Sequence, residues 1–184
     1  MARVLVPLAE GFEELEAITV IDLLRRARFE VIVAGLEAGP VEASRGTVVL
    51  PDTDLNTALQ TAFDMVVLPG GQPGSDHLDG DRRIRQLLRQ MNAEKRYIAA
   101  ICAAPKVLAN AGLLVGKKAT AYPGVLEQLP QTEVILSSEP VVRDGNIITS
   151  RGPGTAMDFA LTLIEVLAGK SRRDEVEAPL QRFE

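Results

Sequence analysis

The sequence predicts an α/β fold in which a mostly parallel sheet is covered by helices on both faces. Three observations carry that expectation. Val4 to Leu8 is a short apolar run, Glu13 to Arg28 follows with helical periodicity, and Glu30 to Leu36 returns to β-branched strand character, which together make a βαβ unit. The alternation recurs downstream, where buried-strand runs at Asp64 to Leu68 and Tyr97 to Ile101 are separated by a helical stretch from about Arg82 to Asn92. The one cysteine, Cys102, stands where the second of those strands runs straight into Ala103-Ala104-Pro105, a strand-to-helix junction that parallels the nucleophile elbow of hydrolases.

The remaining segments are read in the same way. Between Gly39 and Pro51 the run Val41 to Leu50 alternates weakly and predicts a hairpin appended to the main sheet. Val134 to Leu136 and Asn146 to Thr149 read as short strands, the second behind the turn signal Arg143-Asp144-Gly145. Thr155 to Ala168 is an amphipathic helix that ends at Gly169, a natural C′ residue. The charged tail from Lys170 to Glu184 is expected to pack loosely. With 184 residues, 46% hydrophobic, and neither repeat nor linker, residues 1–184 are read as one domain.

Composition narrows the function. A formal charge of -5 and a pI near 5.1 argue against a nucleic-acid surface, and the pairs Arg25-Arg26, Arg82-Arg83 and Arg172-Arg173 read as solvated faces. A lone cysteine forms no internal disulfide, which fits a reducing compartment. The opening Met1 to Leu8 is too short for a signal peptide, and no apolar run approaches the roughly 18 residues of a membrane span. The expectation is a soluble, cytoplasmic protein. One His and one Cys do not make a zinc site, so no metal is expected. The loop Gly70-Gly71-Gln72-Pro73-Gly74 lacks the Gly-Lys-Ser/Thr of a phosphate loop and the dinucleotide fingerprint, so no cofactor is expected either.

Chemistry concentrates in three loops at the carboxyl ends of predicted strands, where ligands of parallel α/β sheets bind: Ala9 to Glu14, Pro69 to Gly74 and Cys102 to Pro105. At a helix N-terminus the Cys102 thiol faces unpaired N–H groups and the positive end of the helix dipole, which favours a thiolate nucleophile at neutral pH. The alternative is a small buried hydrophobe. Helix-dipole complementarity accounts for Glu13 and Glu14. Glu16 differs, because it shares one helical stripe with Phe12, Val20, Leu23 and Ala27. A carboxyl on that stripe must be paired or protonated; facing Cys102 it would serve as a proton shuttle, and the competing reading tilts it to the rim. The N–H groups of Gly70 and Gly71 suit an oxyanion, although tight turns need glycine too. His77, the one histidine, lies near the pocket rim or, on the stronger reading, on the surface.

Four stretches, Glu10-Gly11-Phe12-Glu13-Glu14-Leu15-Glu16, Leu68-Pro69-Gly70-Gly71, Ala99 to Pro105 and Thr149-Ser150-Arg151-Gly152-Pro153-Gly154-Thr155, occur in the order and spacing of the ThiJ/PfpI superfamily. The chain resembles it from the first strand to Ala178-Pro179-Leu180, most closely the Parkinson-disease-linked branch and its bacterial relatives. The resemblance implies a flavodoxin-like three-layer sandwich, a homodimer and a cofactor-free cysteine enzyme. Cys102 then matches the nucleophile, Glu16 its carboxyl partner, and Gly70, Gly71 and Ala103 the anion-binding amides. It implies glutathione-independent glyoxalase activity on 2-oxoaldehydes, methylglyoxal giving lactate, with deglycase activity as the weaker assignment. It also implies a role in carbonyl and oxidative stress, and a chaperone role is sometimes credited to the family.

The chain departs from that pattern at Tyr122, where relatives often carry histidine. A phenol donates a hydrogen bond but is a poor base near neutral pH, so base catalysis falls to Glu16, and a cysteine peptidase, which needs a histidine, ranks last. The second reading is a redox sensor whose Cys102 oxidises to sulfinate. In relatives Arg45 and Ser150-Arg151-Gly152-Pro153 fall near the active-site and dimer region, and Phe12 and Pro73 are candidates to shape the entrance.

Overall fold

A computed structural model describes residues 1–129 and 133–182. The chain opens with β1 (Arg3–Leu8), α1 (Glu14–Arg26) and β2 (Glu30–Gly35), the expected βαβ unit. Three two-residue strands follow, β3 (Val41–Glu42), β4 (Val48–Val49) and β5 (Thr53–Asp54), then α2 (Leu55–Ala58) and β6 (Met65–Leu68). Helices α3 (Gly74–Gly80) and α4 (Arg82–Ala93) lead to β7 (Tyr97–Ile101) and α5 (Pro105–Asn110). The second half contributes β8 (Lys118–Ala119), β9 (Ile135–Leu136), β10 (Val141–Asp144), β11 (Ile147–Ser150), α6 (Ala156–Ala168) and α7 (Lys170–Glu177).

Seven strands form one sheet in the order β10-β11-β7-β6-β1-β2-β5. All neighbours run parallel except the edge pair β10 and β11, which the Asp144-Gly145-Asn146 turn joins as an antiparallel hairpin. Because side chains alternate across a strand, successive residues feed opposite cores. Val4, Val6 and Leu8 pack with Phe12, Val20 and Leu24 near α1 and with Phe159 and Leu163 of α6. Leu5, Val66 and Ile98 pack with Leu78, Ile84, Leu88 and Leu108 of α3, α4 and α5 on the other side. Two cores on two faces of one sheet make the three-layer sandwich.

Two expectations change. The segment from Val41 to Leu50 does form a hairpin, but β3 and β4 make their own two-stranded sheet. It docks over the loop after β1, through Gly11 N–H to the Glu42 carbonyl (2.8 Å) and Ser44 N–H to the Phe12 carbonyl (2.8 Å). The tail is not loose: α7 buries Val176, and the tail ties to α6 through Arg173 with Glu165 (3.9 Å) and Arg182 with Asp158 (2.6 Å). Phe183 and Glu184, the end of that tail, lie outside the described residues.

Candidate active site

Strands β1, β6 and β7 are adjacent, so the loops following them meet at one edge of the sheet. The turn from β7 into α5 takes only Cys102, Ala103 and Ala104, with Pro105 in the first helical position where a missing N–H is tolerated. So sharp a turn drives Cys102 to φ 63°, a left-handed conformation that costs a non-glycine residue of order 1–3 kcal/mol. Neighbours hold it there. The Cys102 N–H donates to the Ser150 carbonyl (3.0 Å) and its carbonyl accepts from the Tyr122 N–H (2.9 Å). The residue is only partly buried.

Glu16 arrives from α1. The stripe Phe12, Glu16, Val20, Leu23 and Ala27 faces inward as a unit, and every member is buried, Glu16 completely. Its Oε2 accepts the Gly70 N–H at 2.8 Å; its Oε1 is buried without a hydrogen-bond partner among the described residues, and the carboxyl lies beside Cys102. Burial pushes this carboxyl up to about 7, against the pull of the Cys102 and Gly70 hydrogen bonds, and the charge of Glu13 adds to the rise.

The two glycines after β6 divide the work. A Cβ on Gly70 would lie 2.6 Å from the Cys102 Cβ and 2.7 Å from Glu16 Oε2, so only glycine lets the carboxyl and the thiol approach this closely. The Gly70 N–H is committed to Glu16, which corrects the expectation that it would join the anion-binding set. The N–H groups that point at the sulfur are those of Gly71 and Ala103. Gly71 has φ 91°, and a Cβ there would run into the backbone at Glu13 and Gly11.

The electrostatics oppose a thiolate as long as Glu16 is charged. Burial, the Glu16 charge and the Glu16 hydrogen bond push the thiol up to about 12, against the Ala103 and Gly71 N–H groups. Helix α5 has only six residues, and its end does not outweigh the neighbouring charge of Glu16. Two of the three opposing causes vanish or change sign once Glu16 is protonated, because a carboxylic acid donates to a thiolate. Cys102 and Glu16 therefore titrate as one unit: between their two ionisations they share a single proton.

The other candidates take simpler places. Tyr122 is half exposed, its ring lies against Gly152, and it touches the site through its backbone N–H. Arg45 is exposed on the hairpin and its N–H donates to Glu14 (3.2 Å). Arg151 donates to the Ser138 carbonyl (3.0 Å). His77 is exposed on α3, as the surface reading has it. Phe12 is fully buried in the core, so it does not shape an entrance, whereas Pro73 is exposed against Gly11. Glu13 and Glu14 do more than meet a helix dipole: both accept from the Ser44 hydroxyl and so hold the hairpin in place. Ser150, in the stretch that the resemblance puts near the site, acts through its backbone carbonyl on the cysteine N–H, and sequence reasoning missed Ser75, whose N–H and Oγ both donate to the Gly71 carbonyl (2.9 and 2.8 Å). A small polar residue beside a glycine carries no pattern that would reveal it.

Fold and site define an α/β protein with a cysteine on a strained elbow, coupled to a buried carboxyl. The chain matches the DJ-1/PfpI family over residues 2–166 and belongs to it. It is 49% identical over 173 residues to Protein dj-1beta of Drosophila melanogaster, covering 94% of this chain and 92% of that one. The crystal structure of Drosophila melanogaster DJ-1beta superposes with a TM-score of 0.95 at 46% identity over 100% of this chain and 99% of that one. Glutathione-independent glyoxalase DJR-1.2 of Caenorhabditis elegans is 34% identical over 179 residues, 97% of this chain and 95% of that protein.

Proposed function

We propose that the protein is a cofactor-independent glyoxalase that converts small 2-oxoaldehydes to 2-hydroxy acids. The Glu16 carboxyl facing Cys102 carries this reading, because the reaction needs a nucleophile and a proton carrier on one substrate carbon. The Cys102 thiolate adds to the aldehyde carbon, and the Gly71 and Ala103 N–H groups receive the oxyanion. Glu16, ionised after giving its proton to that oxygen, removes the proton from the former aldehyde carbon and returns one to the neighbouring carbon. The hemithioacetal thereby becomes a thioester of the 2-hydroxy acid, and water releases the acid and the thiol. Methylglyoxal would yield lactate. The glyoxalase relative supports this choice of substrate, while deglycase activity would use the same first step on a glycated amine.

The test is lactate formed from methylglyoxal without glutathione. Wild type should turn over, Cys102→Ala should not, and Glu16→Gln should retain little. Equal lactate from all three would overturn the proposal.

A second reading is favoured by Cys102 being only partly buried, next to two backbone N–H donors and in a chain with no second cysteine. Peroxide would carry Cys102 through sulfenic to sulfinic acid, with no thiol present to divert it into an internal disulfide. Intact mass after mild peroxide tests it: two oxygens confined to Cys102 support a sensing role, and unselective oxidation contradicts it.

The surface supports assembly as a homodimer. Leu15 and Ile18 on α1, Met157 on α6, which packs against α1, and Val48 and Leu50 by the hairpin that Glu14 of α1 holds, are exposed apolar residues. Light scattering should report two copies, and Ile18→Glu should give one. No described helix is long and apolar enough to cross a membrane, and a cytoplasmic place is part of the proposal.

A further inference from the structure

The two N–H groups aimed at the Cys102 sulfur come from different loops. Ala103 belongs to the elbow, and Gly71 to the loop after β6. Strand pairing ends at Leu68 with Ala100, short of both, so the spacing of the two donors has to be set by something outside the sheet.

Lys106 spans that gap. It stands on the first turn of α5, four residues after the cysteine, with a side chain only 17% exposed, which is low for lysine. Its ammonium pairs with Asp76 on α3. With the Gln72 amide oriented to satisfy its neighbours, the same ammonium donates to the Gln72 side-chain oxygen (3.0 Å), and the Gln72 amide nitrogen donates to Asp76 Oδ2 (2.6 Å). Gln72 follows Gly71 directly. The buried Ser75, next to Asp76, holds the Gly71 carbonyl by two hydrogen bonds. A closed ring of contacts thus links the elbow helix to Asp76 and to Gln72, the residue after Gly71, while Ser75 holds the Gly71 carbonyl.

We propose that Lys106 is a positioning residue, which through Asp76 and Gln72 holds the Gly71 N–H against the Cys102 sulfur. Part of the thiolate stabilisation at the site is then set by an ion pair that touches no substrate. The inference rests on Cys102 being the reacting group, and it is separable from the choice of substrate.

The readout is the alkylation rate of Cys102, the one thiol in the chain, by iodoacetamide from pH 5 to 10. Lys106→Met and Asp76→Ala should each slow alkylation near neutral pH by about fivefold, the equivalent of one weakened hydrogen bond to a charged group. A purely coulombic role predicts opposite signs, because losing a positive charge disfavours the thiolate and losing a negative charge favours it. The exchange Lys106→Asp with Asp76→Lys restores the pair with reversed polarity and should return the rate toward wild type. Unchanged or faster alkylation in Asp76→Ala, or an exchange variant as slow as the single changes, would overturn the inference. The assay contains no dicarbonyl, so a failure of glyoxal turnover would count against the proposed activity alone.

Discussion

The Gly70 N–H donates to Glu16 Oε2 at 2.8 Å across the interior of the molecule, 54 residues apart in sequence. That contact aims a fully buried carboxyl at the only thiol in the chain, and it exists because position 70 has no side chain.

Substituting Gly70 by alanine should therefore break the site as well as the packing. The new Cβ would meet the Cys102 Cβ, Glu16 Oε2 and the Ile101 carbonyl all within 2.9 Å. Overpacking against backbone should destabilise by about 1–3 kcal/mol. Denaturant melts and the lactate assay check it together: a stable, active Gly70→Ala protein would mean that the close approach is not required.

Glu16 makes stability depend on pH with a definite sign. Its carboxyl titrates near 7 in the fold against an ordinary 4.5, so the folded state binds the proton more tightly. This contribution is fully present below pH 4.5 and is lost as pH rises through about 7. Raising pH from 4.5 to 7.5 should destabilise wild type relative to Glu16→Gln, by at most about 3 kcal/mol for a shift of this size. Urea melts of both proteins at the two values test it; parallel pH dependence would exclude a raised Glu16.

The hairpin depends on Glu14 more than on the sheet. The Glu14 carboxylate accepts from the Ser44 hydroxyl and from the N–H groups of Arg45 and Thr47. Slight burial raises this carboxyl, but its own N–H and the donors of Arg45 and Thr47 hold it below its ordinary value. Glu14→Ala should speed amide exchange at Arg45 and Thr47 while costing global stability less than about 1 kcal/mol. Exchange at Leu5 and Val66, in the sheet centre, should not change; uniform loosening would show that the hairpin is part of the core.

Much of this was legible in the sequence. Strands β1 and β7 are buried on both faces, so each reads as an unbroken apolar run between polar residues. Glu16 stood out because an acid on an apolar stripe demands a partner, and Cys102 because small residues and Pro105 mark a sharp turn. Strand β5 and helix α2 escaped, since two and four residues are too few to show a period. Helix α7 looks like solvated tail because it is charged nearly all round and Val176 alone is buried. Sequence could not separate Gly70 from Gly71, which differ only in what lies opposite them in space. Nor could it weigh a helix end against a buried carboxyl, which decides the cysteine's ionisation.

The central claim is that Cys102 and Glu16 share one proton, and the alkylation rate of Cys102 against pH tests it most directly. Wild type should show two steps, a smaller one near pH 7 as the pair loses its first proton, its height set by the share of that proton that leaves sulfur for Glu16, and a larger one toward 12 as the second proton leaves. Glu16→Gln should show a single step and no inflection near 7. A single step in wild type, superimposable on that of Glu16→Gln, would contradict the account.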